Sequence, residues 1–197
     1  MQLQQTLRKN YSFEGKGLHT GKVAKMTVCP APADTGIRFI RTDIGNDAVI
    51  EALAENVSNT ARSTTISIGD ASVATIEHIM SALTGMGVDN ALIEIDNIEV
   101  PILDGSAKPY IDAIWKDGFQ EQDVPRRYVE LKETVEIVNE EKGSMVRIEP
   151  AEEFSYNIMV DFNSRVLGVQ NAVWNPDVIY AEEIGTCRTF VFFHEIE

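Results

Sequence analysis

Glu77 and His78 are the residues of this chain best suited by type and spacing to do chemistry. They sit in Thr75-Ile76-Glu77-His78-Ile79-Met80-Ser81-Ala82-Leu83, where Ile76, Ile79, Met80 and Leu83 recur at i, i+3, i+4 and i+7. That is the spacing of one apolar helix face. At about 100° per residue, Glu77 lies one step and His78 two steps round from Ile76, so both are expected to turn away from the packed face. In a first helical turn the positive end of the dipole favours a carboxylate and disfavours a protonated imidazole. The pair would then hold a neutral nitrogen donor beside an ionised base, the states that a metal-bound water requires. Spacing tempers this, because the zincin pattern places two histidines at i and i+4 around a glutamate, and position 82 is Ala82. A catalytic zinc takes three protein ligands and keeps an open position. On composition the other two stay open among His19, His194, a cysteine or a carboxylate. The plain alternative is that Glu77 and His78 simply solvate the outer face of a helix.

Two other stretches could line a site. Gly15-Lys16-Gly17-Leu18-His19-Thr20-Gly21 carries three glycines in seven residues, which suits a tight turn or close approach to a ligand. It is not a phosphate loop, because Gly21-Lys22-Val23 leads into a strand rather than opening a helix with Gly-Lys-Ser/Thr. Ser63, Thr64 and Thr65 could offer hydroxyls to a pocket, and are otherwise ordinary strand residues.

The elements that must hold these residues follow from periodicity. Strands are expected at Tyr11 to Glu14, Ala24 to Pro30, Gly36 to Arg41, Val49 to Ala54 and Thr64 to Ile68, separated by Gly, Pro and Asn/Asp turn signals. A helix follows with Thr75 as N-cap and Gly85 at its stop, then a buried strand at Ala91 to Ile95. A second helix spans about Ala107 to Lys116, closed by Gly118. Strands, helix, strand, helix predict a sheet with helices on one face, an α+β layered unit. Gln120-Glu121-Gln122-Asp123-Val124-Pro125 reads as a linker, dividing a first domain (1–125) from a second (126–197). Strands are expected in the second at Arg127 to Val138, Ser144 to Glu149, Phe154 to Phe162 and Cys187 to Phe193. With no convincing helix, that second unit looks truncated.

Composition sets the outer limits. The chain has 197 residues, 17 basic and 31 acidic side chains, a formal charge of −14 and 44% apolar residues. Such a balance argues for a packed core and against a nucleic-acid partner, which needs clustered Lys and Arg. Residues 1–50 carry seven basic and four acidic side chains, and residues 51–100 one and eight. A local positive patch for a small anion near the N-terminal strands is therefore conceivable, against the plainer reading of a solvated face of mixed charge. No stretch approaches the roughly 18 apolar residues of a membrane span, and the first residues lack a secretory apolar block. A cytoplasmic protein with Cys29 and Cys187 reduced is expected.

Seven ordered blocks carry a family resemblance. They are Gly17-Leu18-His19-Thr20-Gly21, Pro30-Ala31-Pro32-Ala33-Asp34-Thr35-Gly36-Ile37, Arg41-Thr42-Asp43, Thr75 to Leu83, Gly87-Val88-Asp89-Asn90, Pro101-Ile102-Leu103-Asp104-Gly105-Ser106-Ala107 and Arg188-Thr189-Phe190. Together they resemble the N-terminal portion of the UDP-3-O-acyl-N-acetylglucosamine deacetylases, zinc amidohydrolases of lipid A synthesis in Gram-negative bacteria. The resemblance implies two similar domains, each a sheet layered on a helix pair. It implies His78 as a Zn2+ ligand and Glu77 as the general base taking a proton from zinc-bound water. The resulting hydroxide would attack the acetamide carbonyl at C2 of the acylated UDP-sugar and release acetate. Thr189, Phe190, Ser63 and His19 would line the substrate cleft, with Ser63 on a strand at its edge.

One departure matters. The family draws its other zinc ligands from a later His-x-x-x-Asp helix and its general acid from a further histidine, and this sequence supplies neither. His194, followed only by Glu195-Ile196-Glu197, cannot stand in. The resemblance therefore implies a fragment that binds zinc weakly, lacks deacetylase activity and self-associates through an exposed apolar edge at Phe190 to Phe193. Some family members are fused to a 3-hydroxyacyl-carrier-protein dehydratase. The competing reading is a non-catalytic α+β module that binds a sugar nucleotide or a protein through the same cleft.

Overall fold

Alternating burial accounts for most of the strands in the computed structural model, which describes residues 2–45, 48–141, 143–175 and 177–193. The strands β1 (Leu3–Leu7), β2 (Tyr11–Lys16), β3 (Val23–Pro30), β4 (Ile37–Arg41) and β5 (Val49–Glu51) come first. In β3, Ala24, Met26 and Val28 point inward while Val23 and Lys25 face out. Next come β6 (Val57–Asn59), β7 (Thr65–Ile68), β8 (Ala71–Val73), helix α1 (Glu77–Gly85), β9 (Ala91–Ile95), helix α2 (Lys108–Ile114) and β10 (Phe119–Pro125). A five-stranded sheet runs β2-β3-β9-β4-β5, and β6-β7-β8 form a separate antiparallel meander. Within the larger sheet β9 is parallel to β4 and antiparallel to β3. The chain between β4 and β9 carries β5 to β8 and α1, the kind of long crossover that parallel neighbours require.

Met26, Val28, Phe39, Ile93 and Ile95 from the sheet, Ile79 and Leu83 from α1, and Tyr110, Ile111 and Ile114 from α2 share one buried cluster. A polar knot lies beside it. Asn90 donates to Gln4 and Gln122 and accepts from the Gly36 N–H, all at 2.8 Å. It thereby ties the Pro30–Gly36 and Gly87–Asn90 blocks to β1 and β10. Because buried amides are tolerated only when bonded, this knot constrains how the blocks meet.

The described chain divides into two units, residues 2–126 with 180–193 and residues 127–179. The second contains two antiparallel hairpins, β11 (Val135–Asn139) with β12 (Ser144–Ile148) and β13 (Tyr156–Asp161) with β14 (Val169–Trp174). Tyr156 and Trp174 stack with ring centroids 5.6 Å apart, and Phe154 meets both edge-on. The final helix, α3 (Tyr180–Glu183), belongs to the first unit. The fold is α+β, mostly strand with few helices.

Several expectations change. Residues 120–125 form no linker: they lie in β10, which pairs with β1 in the register Gln5↔Glu121, Thr6↔Gln120 and Leu7↔Phe119. Backbone bonds build that ladder, so its polar side chains gave no sign of it. Residues 187–192 form no strand and follow the turn after α3. An edge-pairing basis for self-association at Phe190 to Phe193 is lost with it. Thr75 does not cap α1: its φ is +60°, Ile76 takes the N-cap position, and the Thr75 hydroxyl is engaged elsewhere. Strands β1, β6, β8 and β14 were not expected either.

Candidate functional site

The start of α1 is set by the chain on either side of it. Ala74 bridges to Glu99 in parallel fashion, donating to the Ile98 carbonyl at 2.9 Å and accepting from the Val100 N–H at 3.1 Å. Thr75 then turns the chain in a left-handed conformation, and the Ile76 N–H reaches the Thr64 carbonyl at 3.3 Å. Glu77 follows. Its Oε2 accepts the Thr64 N–H at 2.9 Å, so this carboxylate is held by the loop leading into β7. That differs from free solvation of an outer helix face. His78 is the next residue on the same turn, half-buried.

Glu99 lies at the centre of the arrangement, and sequence reasoning missed it. It is 1% exposed. Its Oε1 accepts the His19 N–H and the Thr75 hydroxyl, both at 2.9 Å, and its Oε2 accepts the Thr20 N–H at 2.8 Å. Burial alone would push this carboxyl up, yet the bonds from His19, Thr20 and Thr75 together hold it below the usual carboxylate range. A lone acid among Ile98, Val100 and Ile102 was the one signal available in the sequence.

The other expected residues are placed by different connections. His19 lies in the turn between β2 and β3 with its side chain exposed, and it is its backbone N–H that is used. Ser63 is not on a strand. It sits in the bend before β7, between Arg62, whose φ is +62°, and Thr64. Thr189 donates its N–H to the Gly105 carbonyl at 2.9 Å, while the Arg188 guanidinium reaches Asp104 at 3.3 Å. Asp104 in turn accepts from the Ser106 N–H and hydroxyl at 3.0 and 2.7 Å. Phe190 is 49% exposed and meets Phe192 edge-on. His194 lies outside the described residues.

For metal binding, the described residues bring no three of His, Cys, Asp or Glu together. His78 is a single donor, and Glu77 gives one carboxylate oxygen to the Thr64 N–H. These described residues alone therefore do not make up a zinc centre. Both cysteines are free thiols; Cys29 is pushed up by burial and by Glu94, and Cys187 is exposed.

Comparison with known proteins adds a family. The family model described as UDP-3-O-acyl N-acetylglycosamine deacetylase matches residues 4–197. The bifunctional enzyme LpxC/FabZ of Porphyromonas gingivalis is 44% identical over 100% of this chain and 43% of its own length. The UDP-3-O-acyl-N-acetylglucosamine deacetylases of Phenylobacterium zucineum and Cellvibrio japonicus are 41% and 40% identical, over 98% of this chain and 67% and 64% of theirs. The chain thus spans less than half of the bifunctional relative and about two thirds of the two deacetylases.

Proposed function

The chain belongs to the UDP-3-O-acyl N-acetylglycosamine deacetylase family, and from that membership we propose that it serves hydrolysis of the N-acetyl group of UDP-3-O-acyl-N-acetylglucosamine in lipid A biosynthesis. In this reading water adds to the acetamide carbonyl, the C–N bond breaks, and acetate and the free 2-amine leave. Glu77 takes the proton from the attacking water. The observation that carries the assignment is the Glu77 carboxylate aligned by the Thr64 N–H on the first turn of α1, beside His78. A base held by one backbone donor keeps its other oxygen free for a water, which is the geometry general-base catalysis asks for.

Zinc is the metal this reading implies, with His78 as one donor and the rest outside the described residues. Ser63, next to Thr64, and the exposed His19, Thr189 and Phe190 are proposed to meet the acylated UDP-sugar. The hairpins of residues 127–179 are read as the opening strands of a second sheet-plus-helix unit. A cytoplasmic location belongs to the same reading, and no described helix is long and apolar enough to cross a membrane.

Two measurements test this. In the product of the complete reading frame, Glu77→Ala is expected to lower acetate release by about 100-fold or more. Unchanged turnover would point instead to a non-catalytic binding module. In the 197-residue chain itself, addition of zinc is expected to produce no turnover above that of its own Glu77→Ala variant; robust zinc-dependent deacetylation would show that the residues present suffice.

A further inference from the structure

Glu99 is a buried carboxylate whose hydrogen-bond partners are all neutral. An ionised carboxylate at 1% exposure is costly to keep out of water unless its oxygens are bonded. An apolar side chain would fill the same space more cheaply, so the position calls for an explanation beyond packing. The bonds supply one, because they join two separate stretches of chain. Oε1 is shared between the His19 N–H and the Thr75 hydroxyl, and Oε2 takes the Thr20 N–H. The turn closes directly over the carboxylate: a Cβ added at Gly17 would overlap the Glu99 Oε2 and lie 2.7 Å from the Thr20 hydroxyl oxygen. On the other side, Thr75 is a β-branched residue at φ +60°, a conformation such residues adopt only when their surroundings hold them there. Two residues further on, Glu77 grips the Thr64 N–H beside Ser63.

We propose that Glu99 is a positioning residue that couples the Gly17–Gly21 turn to the start of α1, so that His19 and the Glu77–His78 pair are held in fixed relation. The role in catalysis rests on the deacetylase reading above; the coupling does not. A continuous path runs from the turn through Glu99 and Thr75 to Glu77 and Thr64. Such a path is a physical link only if perturbing one end is felt at the other.

Amide hydrogen exchange on the 15N-labelled 197-residue chain tests this without reading turnover. Thr75→Val removes the hydroxyl and leaves Glu99 in place. It is expected to speed exchange at the His19 and Thr20 amides by about tenfold, the scale of one lost bond to a charged group. Ile93 and Val28 in the central sheet should keep their wild-type rates. Thr75→Ser, which restores the hydroxyl, should bring His19 and Thr20 back to within about twofold of wild type. Glu99→Gln, which sets an amide donor against these donors, should loosen His19, Thr20 and also Thr64. If Glu99→Gln does not fold, the Thr75 pair alone decides. The proposal is overturned if Thr75→Val leaves His19 and Thr20 unchanged, if Ile93 accelerates as much as they do, or if Thr75→Ser fails to restore them. A negative result here leaves the deacetylase reading standing, and an active Glu77→Ala enzyme leaves the coupling standing.

Discussion

Individual side chains around the site are constrained by close approach and by buried bonds. At Gly17 any Cβ would run into the Glu99 carboxylate, which three hydrogen bonds keep from moving aside. Gly17→Ala is therefore expected to destabilise the chain by about 1–3 kcal/mol, as overpacking does. A urea midpoint equal to wild type would contradict this closure of the turn. Tyr110 is the second case. It is fully buried, its hydroxyl donates to the Pro101 carbonyl at 2.7 Å, and its ring meets Phe13 edge-on at 4.8 Å. Tyr110→Phe keeps the ring and strands that carbonyl, at an expected cost of about 1–2 kcal/mol. The same bond steadies the segment from Glu99 to Asp104, which holds Thr75 at one end and Arg188 at the other.

Among the elements, α3 shows how a short helix docks through one ring and its hydroxyl. The Tyr180 ring lies against Gly85, the last residue of α1, its hydroxyl is in hydrogen-bond contact with Ser81, and Gly185 sits over Ile111 of α2. In an unobstructed helix, Gly→Ala gains up to about 1 kcal/mol from propensity. Here the added Cβ would overlap the Tyr180 ring, so Gly85→Ala should instead cost about 1–3 kcal/mol. Combining it with Tyr180→Ala should recover most of that cost, a coupling that a double-mutant cycle reads directly. A stabilised Gly85→Ala protein would mean that α3 does not dock on α1. Strand β10 makes the complementary point, since a polar sequence became a strand through the ladder offered by β1.

Across the whole molecule, stability should fall on both sides of neutrality. The carboxyls of Asp43, Asp104, Asp117 and Glu99 sit below their usual range. Asp43 is held there by the Arg41 guanidinium, Asp104 by the Ser106 hydroxyl, Asp117 by Lys9, and Glu99 by donors that outweigh its burial. In the unfolded chain these groups take up protons at a higher pH than in the folded one. Folded stability is therefore fully present above their ordinary pKa and is lost progressively as pH falls below it through the lower folded values. Urea midpoints should drop between about pH 5 and about pH 3; a flat profile there would be inconsistent with these bonds. At the alkaline end, burial and the Asp117 hydrogen bond push the Tyr11 phenol up to about 12. Its contribution is present below about pH 10 and lost as pH rises through the folded value.

The sequence by itself determined what depends on neighbours along the chain. The alternation of Ala24, Met26 and Val28, the strand Ala91–Ile95 and the stripe Ile76, Ile79, Met80 and Leu83 were legible because their periods are local. So was the placing of Glu77 and His78 together on a first helical turn, and the seven blocks were specific enough to mark the family. What only the tertiary structure decided were meetings between distant segments: Glu99 under the His19 turn, the Thr64 N–H on Glu77, β10 beside β1, and α3 against Gly85. Residues 187–192 were misread for the same reason. An apolar run carries strand propensity, but a strand exists only where another backbone offers its hydrogen bonds, and no local pattern records which backbone that is.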